Sequence, residues 1–232
     1  YCSQTGFLTF GVHPVKDIGY PISKICDFGN KCDVNELDLL PYLADDPSTN
    51  VICMHLEDIK NGQRFIEVAR QAVARKPVLI LKPGRTEAGA RAASSHTGSL
   101  AGDDQVHENA FRQAGVIRLR TWREFWDIPK ALSLQPLPKG NRIAIVTATG
   151  GAGVMLSDAA AEFGLVPATF AAATRSQLGK LSPRLGNNPV DVGPMMSVRE
   201  FPFSVYEDVV PAILSDPNVD CLTAVCHLGP PI

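Results

Sequence analysis

One stretch of the chain gathers residue types that could do chemistry: Arg91-Ala-Ala-Ser-Ser-His-Thr-Gly-Ser-Leu-Ala-Gly102. It places a single imidazole, His96, among small hydroxyl residues and glycines. It comes after Val78-Leu-Ile-Leu81, an apolar run that reads as a buried strand. Small neighbours let an imidazole reach out of a loop and let a second group approach it closely. Glycines and hydroxyls near a strand end also hold phosphate. The plain alternative is a solvated Ser/Gly loop with an incidental histidine.

Two glycine-containing turns offer a second kind of chemistry. Ser3-Gln4-Thr5-Gly6 comes after Tyr1-Cys2, and Thr147-Ala-Thr-Gly-Gly-Ala-Gly153 comes after the apolar run Ile143-Ala-Ile-Val146. Each sits where a strand hands over to a helix, so backbone N–H groups and the positive helix end could bind phosphate. The candidate residues are Ser3, Gln4, Thr5 and Gly6 in one turn, and Thr149, Gly150, Gly151, Ala152 and Gly153 in the other. Neither turn continues into Gly-Lys-Ser/Thr, and neither is a full G-x-G-x-x-G. Each could equally be a tight turn with a close helix–strand contact. The third candidate is Glu57, after the strand Val51 to Leu56. Parallel sheets place their sites at the carboxyl ends of strands, where Glu57 and His96 could meet. A carboxylate bonded to one ring nitrogen fixes the tautomer and frees the other as nucleophile. An exposed loop acid is the alternative for Glu57. His55 is read as packing, since a regular strand turns it to the opposite face.

The elements that must position these groups are read from periodicity. After Gly6 a helix-like segment begins, interrupted by Pro14. Ile22 to Phe28 reads as a strand, Asp33 caps a helix over Val34 to Ala44, and Asp46-Pro47 stops it. The strand Val51 to Leu56 precedes a helix within Asn61 to Arg75, where Phe65, Val68, Ala69, Ala72 and Val73 recur at helical spacing. Beyond the His96 loop come a helix over Val106 to Ala114, a strand over Val116 to Leu119 and a helix over Trp122 to Leu132. Its stripe of Trp122, Phe125 and Trp126 reads as core. Leu134-Gln-Pro-Leu-Pro-Lys-Gly140 is a linker with two prolines. The expected division is a first domain over 1–134, a linker over 135–140 and a second domain over 141–232. In the second, strands are expected at Ile143 to Val146 and Cys221 to Leu228, with the segment Leu165 to Phe170 between them. Helices are expected at Val154 to Phe163, near Arg175 to Leu181, and at Val205 to Leu214.

The two sides of the linker repeat their landmarks in order. The first has its glycine turn, Gly29-Asn30, Asp33-Val34, Asp46-Pro47 and a strand ending His55-Leu56. The second has its glycine turn, Gly186-Asn187, Asp191-Val192, Asp216-Pro217 and a strand ending His227-Leu228. That order indicates two copies of one α/β fold with a parallel sheet and helices on both faces. A flavodoxin-like strand order is the first choice. Copy one lacks a full strand before its glycine turn, and copy two stops before its helix and histidine loop. Both copies are therefore expected to be incomplete here, as pieces of a longer protein.

Composition narrows the class. A 45% apolar, 20% charged chain of net charge −2 has the make-up of a globular domain, without the basic face of a nucleic-acid binder. No apolar run is long enough to span a bilayer. The six cysteines include no Cys-x-x-Cys pair, so neither a zinc site nor a disulfide framework is expected. Reduced cysteines suit a cytoplasmic protein.

The chain resembles the NDP-forming acyl-CoA synthetases, the ADP-forming acetate–CoA ligases related to succinyl-CoA synthetase. The resemblance rests on Ser3–Gly6, Phe28-Gly-Asn-Lys-Cys-Asp33, Leu56-Glu-Asp-Ile-Lys60, Lys76–Arg85, Ser94-Ser-His-Thr-Gly-Ser-Leu-Ala-Gly102 and Phe111-Arg-Gln-Ala-Gly-Val-Ile117. Past the linker it rests on Thr147–Gly153 and Asn188-Pro-Val-Asp191. The resemblance implies two flavodoxin-like domains, with His96 as the phosphorylated histidine and Glu57 as the glutamate that steadies it. The two glycine turns would begin the helices that grip the phosphoryl group. It also implies a reversible reaction of acyl-CoA, phosphate and ADP to free acid, CoA and ATP, through an acyl phosphate. CoA, ATP or ADP and Mg2+ would be substrates of the full enzyme, with none held tightly here. Its CoA-binding and ATP-grasp domains would be partners, on the same chain or a second subunit, in an oligomer. Thr5 stands where serine is usual, and Pro14 falls inside the expected first helix. Two other readings are kept: an acyl-CoA-sensing module of a protein-lysine acetyltransferase, and a non-catalytic scaffold.

Overall fold

The computed structural model describes residues 1–6, 21–97, 103–196, 198 and 203–226; the side chains of Ser94, His96 and Thr97 are outside that description. The helix-like segment read after Gly6, with Pro14, lies outside the described residues. The chain forms two compact units, Tyr1–Pro136 and Leu137–Ile232.

In the first unit the elements are β1 (Cys2–Ser3), β2 (Cys26–Asp27), α1 (Glu36–Asp45), β3 (Ile52–His55), α2 (Gly62–Val73), β4 (Val78–Leu81), α3 (Glu87–Thr97), α4 (Asp104–Ala114), β5 (Ile117–Leu119) and α5 (Trp122–Leu134). The strands pair in parallel in the order β2-β1-β3-β4-β5. This is the flavodoxin-like order, whose topological switch lies between β1 and β3. Alternate side chains of β3 and β4 enter opposite cores. Ile52, Met54, Val78 and Ile80 pack with Leu40 of α1, Phe65 of α2 and Phe111 of α4. Cys53, Leu79 and Leu81 pack with Leu119 and Phe125 on the other face. Burial on both faces explains the uninterrupted apolar runs of these strands.

The second unit repeats the plan. Its elements are β6 (Arg142–Thr147), α6 (Gly150–Glu162), β7 (Val166–Pro167), α7 (Ala172–Leu181), a 3-10 turn (Pro183–Gly186), β8 (Val190–Asp191), α8 (Gly193–Met196), α9 (Ser204–Leu214) and β9 (Cys221–Val225). β9 runs parallel along one side of β6, while β7 and β8 share the other, pairing with opposite ends of it. The gap between β7 and β8 is closed by a side chain. Asn188 accepts from Ile145 N (2.9 Å) and donates to Ile143 O (2.8 Å) and Ala168 O (3.1 Å). Its carboxamide stands in for the missing peptide group, as a buried ladder requires.

Both Asp-Pro landmarks do the same work. Asp46 accepts from Ser48 N (3.3 Å) and Thr49 Oγ1 (2.6 Å), and its carboxylate holds Lys24 at 2.6 Å. Asp216 accepts from Asn218 N (2.8 Å) and from Ala171 N (2.8 Å). In each unit the aspartate ties the end of a helix to the chain beside a neighbouring strand.

Several sequence expectations change. Asn35, not Asp33, caps α1: its side chain accepts from Leu37 N (2.8 Å) and Asp38 bonds back to Asn35 N (3.0 Å), a capping box. The strand expected over Ile22 to Phe28 shrinks to Cys26–Asp27, because β1 offers only two residues to pair with. Within the segment Leu165 to Phe170 the strand is Val166–Pro167. The stretch read as the His96 loop is helical up to Thr97, so the backbone of His96 lies in the last turn of α3. Alanines at 88, 90, 92 and 93 favour that helix over a loop.

Asn188→Ala leaves three strand groups without partners. It is expected to lower the unfolding free energy by roughly 2–3 kcal/mol, read as a reduced urea midpoint at unchanged slope.

Candidate functional site

The strand order reverses beside β1, and two of the groups singled out in the first unit, the Ser3–Gly6 turn and Glu57, meet at the carboxyl ends of β1 and β3. Gln4 continues the ladder, its N–H donating to His55 O (3.0 Å). Its side chain then turns back onto the neighbouring loop. Oε1 accepts from Glu57 N (2.8 Å) and Asp58 N (3.1 Å), and Nε2 donates to Asp58 Oδ1 (2.7 Å). One carboxamide thereby fixes the Ser3–Gly6 turn against the segment that carries Glu57. Ser3 is fully buried, and its hydroxyl accepts from Thr5 N (3.1 Å) and meets His55 Nδ1 at 3.3 Å. The Ser3 and Gln4 side chains are thus engaged within the fold, although their residue types also suit a phosphate turn. Thr5 and Gly6 are half-buried, as is Glu57.

A buried ion cluster supports this loop. Lys31, in the left-handed region at φ 58°, reaches Asp58 Oδ1 (2.9 Å), Asp58 O (2.6 Å) and Glu36 Oε2 (2.8 Å). Lys31 and Glu36 are almost wholly buried. Burial pushes the Asp58 carboxyl up, but the Lys31 ammonium and the Gln4 amide outweigh it and hold it below the usual carboxylate range. Sequence reasoning missed this cluster. Its one local signal is a lysine directly after Gly29-Asn30, where the chain must reverse.

His55 is buried and stacks on Trp122, ring centroids 5.0 Å apart. Trp122 in turn meets Phe125 edge-on at 5.2 Å. Burial, and after it the nearby Lys82 charge, lowers the His55 pKa to about 4. The ring is therefore neutral near pH 7.

In the second unit, Thr149 is the N-cap of α6 and makes no side-chain cap bond. In the first unit, Asn35, Asn61, Asp103 and Thr121 all accept a backbone N–H as N-caps. The first turn of α6 is consequently open. Gly150 and Gly151 are exposed, Ala152 is half-buried, and Gly153 is buried against Pro189, where a Cβ would lie 3.1 Å from that ring. A cavity of about 290 Å³ lies beside this turn. Thr147 lines it with a buried hydroxyl that has no partner among the described residues, and Asp158 and Asp191 line it with carboxylates. Among the described residues, no three His, Cys, Asp or Glu side chains gather as a metal site. No described helix is long and apolar enough to cross a membrane.

The geometry therefore joins the Ser3–Gly6 turn to Glu57. The other glycine turn belongs to the second unit, and the His96 side chain lies outside the described residues. Known proteins resemble this chain. The model of the succinyl-CoA ligase like flavodoxin domain matches residues 2–132. The chain is 42% identical over 231 residues to the alpha subunit of acetate–CoA ligase [ADP-forming] II of Pyrococcus furiosus, covering 97% of this chain and 49% of that one. It is also 42% identical to acetate–CoA ligase [ADP-forming] II of Archaeoglobus fulgidus, covering 91% of this chain and 31% of that one. Among solved structures it superposes on dinucleotide forming acetyl-coenzyme A synthetase 1 of Ca. Korarchaeum cryptofilum, in complex with phosphate and ADP, with TM-score 0.86 and 37% identity. That match covers 96% of this chain and 48% of the other. The chain thus spans about half the length of the relatives it matches, or less.

The buried neutral His55 gives the first unit a pH dependence. Its folded pKa of about 4 lies below the ordinary 6.5, so its contribution is complete above pH 6.5 and is lost as pH falls towards 4. Unfolding free energy should drop by roughly 3 kcal/mol across that window from this group. In His55→Gln the urea midpoint should vary less steeply with pH over the same range.

Proposed function

Since the chain belongs to the succinyl-CoA ligase like flavodoxin-domain family, we propose that it is part of an NDP-forming acyl-CoA synthetase that interconverts acyl-CoA, phosphate and ADP with free acid, CoA and ATP. The observation that carries the reading is the Gln4 clamp. It holds a strand-end turn and Glu57 together at the switch point of a parallel sheet, where this fold places ligands. The half-buried Thr5 and Gly6 continue that turn, and α3 brings the backbone of His96 to the end of a helix.

In this reading phosphate displaces CoA from the acyl group, giving an acyl phosphate and the free thiol. A ring nitrogen of His96 then attacks phosphorus, and the carboxylate leaves with the electrons of the broken P–O bond. The phosphohistidine passes its phosphoryl group to ADP. Glu57 is the group that accepts the other ring N–H, fixing the tautomer and stabilising the cation that forms on attack. The first turn of α6, with its open cap at Thr149, offers N–H donors suited to phosphate oxygens. In the Ser3–Gly6 turn the N–H groups of Gln4 and Thr5 are bonded within the fold, so that turn contributes through the placement it gives Glu57. Ser3 and Gln4 act here through position, because their side chains are engaged inside the fold. Asp158 and Asp191 beside the α6 turn would repel a phosphoryl group unless its charge is matched by donors or a cation. Mg2+ enters with the nucleotide as substrate. CoA-binding and ATP-grasp domains are the partners the reaction needs, in a cytoplasmic oligomer.

The test is phosphorylation by a small phosphodonor such as acetyl phosphate, monitored by intact mass. One added phosphoryl group is expected, labile in acid, stable in alkali and absent from His96→Ala. Glu57→Ala should label at least about tenfold more slowly, as loss of one charge-assisted bond implies. A label that persists in His96→Ala overturns the phosphohistidine. No label on the folded full-length protein favours the regulatory or scaffold reading.

A further inference from the structure

A second cavity opens at the same edge of the first sheet, on its β4–β5 side. It measures about 270 Å³ and is lined by His55, Lys82, Arg85, Thr86, Arg120 and Trp122 among others. Its charged lining is entirely cationic: Lys82, Arg85 and Arg120, with no carboxylate. Among the described residues, none of these three cations has a carboxylate within ion-pair distance. The nearby Asp104 and Glu108 are taken by Arg118.

Lys82 is the telling residue. It is 5% exposed, and its Nζ donates to the carbonyl of its own neighbour, Pro83, at 3.0 Å. An ammonium has three donors, and a buried charge without a counter-charge is costly. Surface loops seldom hide a lysine in this way. Here the fold holds it against the mouth of a cavity that two exposed guanidiniums also face.

The loop around it is shaped for close approach. Gly84 has φ +79°, and a Cβ on Gly89 would lie 3.4 Å from the Gly84 Cα. The loop therefore folds down onto the first turn of α3. Thr86 accepts from Gly89 N (3.1 Å) and Ala90 N (2.7 Å). The N–H groups of Glu87 and Ala88 precede the helix's own ladder, at its positive end. The Glu87 side chain is 97% exposed and does not line the cavity. Trp122, 41% exposed, also lines the cavity, its ring against that of neutral His55.

We propose that this cavity is a binding site for a phosphate dianion, free or as the phosphomonoester of a nucleotide, held by Lys82, Arg85 and Arg120. Arginine pairs recognise phosphate oxygens two at a time, and the buried ammonium gains the counter-charge it lacks. Trp122 offers a flat apolar surface to a base carried on the same phosphate. The site is separate from the Glu57 turn, and its assignment does not depend on the phosphohistidine.

The test is calorimetric titration of the full-length protein with inorganic phosphate and, separately, with AMP. Saturable binding is expected, weakened about tenfold in Lys82→Gln and in Arg120→Gln and kept in Glu57→Ala and His96→Ala. Arg120 is exposed, so that variant answers the question even if Lys82→Gln does not fold. Trp122→Leu separates the two sources. Loss of affinity for AMP with phosphate unchanged assigns the site to a nucleotide, and equal binding of both ligands before and after assigns it to free phosphate. The proposal is overturned if neither ligand saturates by about 10 mM. It is equally overturned if affinity is unchanged in folded Arg85→Gln/Arg120→Gln protein, or if it falls only in Glu57→Ala or His96→Ala.

Discussion

The first unit depends on the side-chain amide of Gln4. β1 contributes two residues to the sheet, too few for backbone pairing alone to fix the turn after it. Past Ser3 the chain has no further ladder to β2, and the carboxamide takes over the work of a peptide group. It offers one acceptor to two successive N–H groups and one donor to the carboxylate between them and Lys31. The buried lysine then ties the same loop to α1 through Glu36. Removing any member leaves a polar group or a charge buried without its partner, which costs more than the bond itself contributes. The arrangement is therefore all-or-nothing, and it fixes where Glu57 starts.

That constraint also separates two electrostatic regions along one sheet edge. On the β1–β3 side, the buried charges are Lys31 balanced by Glu36 and Asp58, and the next residue to project is an acid, Glu57. On the β4–β5 side, Lys82, Arg85 and Arg120 have no such balance. His55 and Trp122 stand between them, an uncharged wall whose neutrality comes from burial. One parallel sheet edge thus presents an acidic side at Glu57 and a cationic side at Lys82, Arg85 and Arg120, with the two rings between them.

The second unit reaches the same architecture with a different repair. Its edge is broken between β7 and β8, and Asn188 restores the ladder from the side. Asp216 stitches a helix end to the neighbouring strand as Asp46 does in the first unit. The Asn-Pro-Val-Asp sequence therefore has a structural reason. Its asparagine completes the sheet, its proline packs on Gly153, and its aspartate accepts from Gly193 N at 2.9 Å.

The sequence by itself determined the class of fold and most of its elements. Apolar runs such as Val78–Leu81 mark strands buried on both sides, helical spacing from Phe65 to Val73 marks the covering face, and repeated landmarks mark two copies of one plan. Those signals are local, since each depends on residues near one another in the chain. It also picked out Glu57 and the Ser3–Gly6 turn as separate candidates, each after a strand end, and expected Glu57 to meet His96, whose side chain lies outside the described residues. What only the tertiary structure decided is which polar groups face inward. Gln4 has the residue type of a ligand-binding turn, yet its amide closes onto a loop 53 residues away. Lys31 and Lys82 look alike in the sequence, but one is matched by two carboxylates and the other by none within reach. The helix through His96 was hidden by small residues whose preference for helix or loop depends on what they pack against. Long-range pairing is set by the sheet, and a periodicity read along the chain carries no information about it.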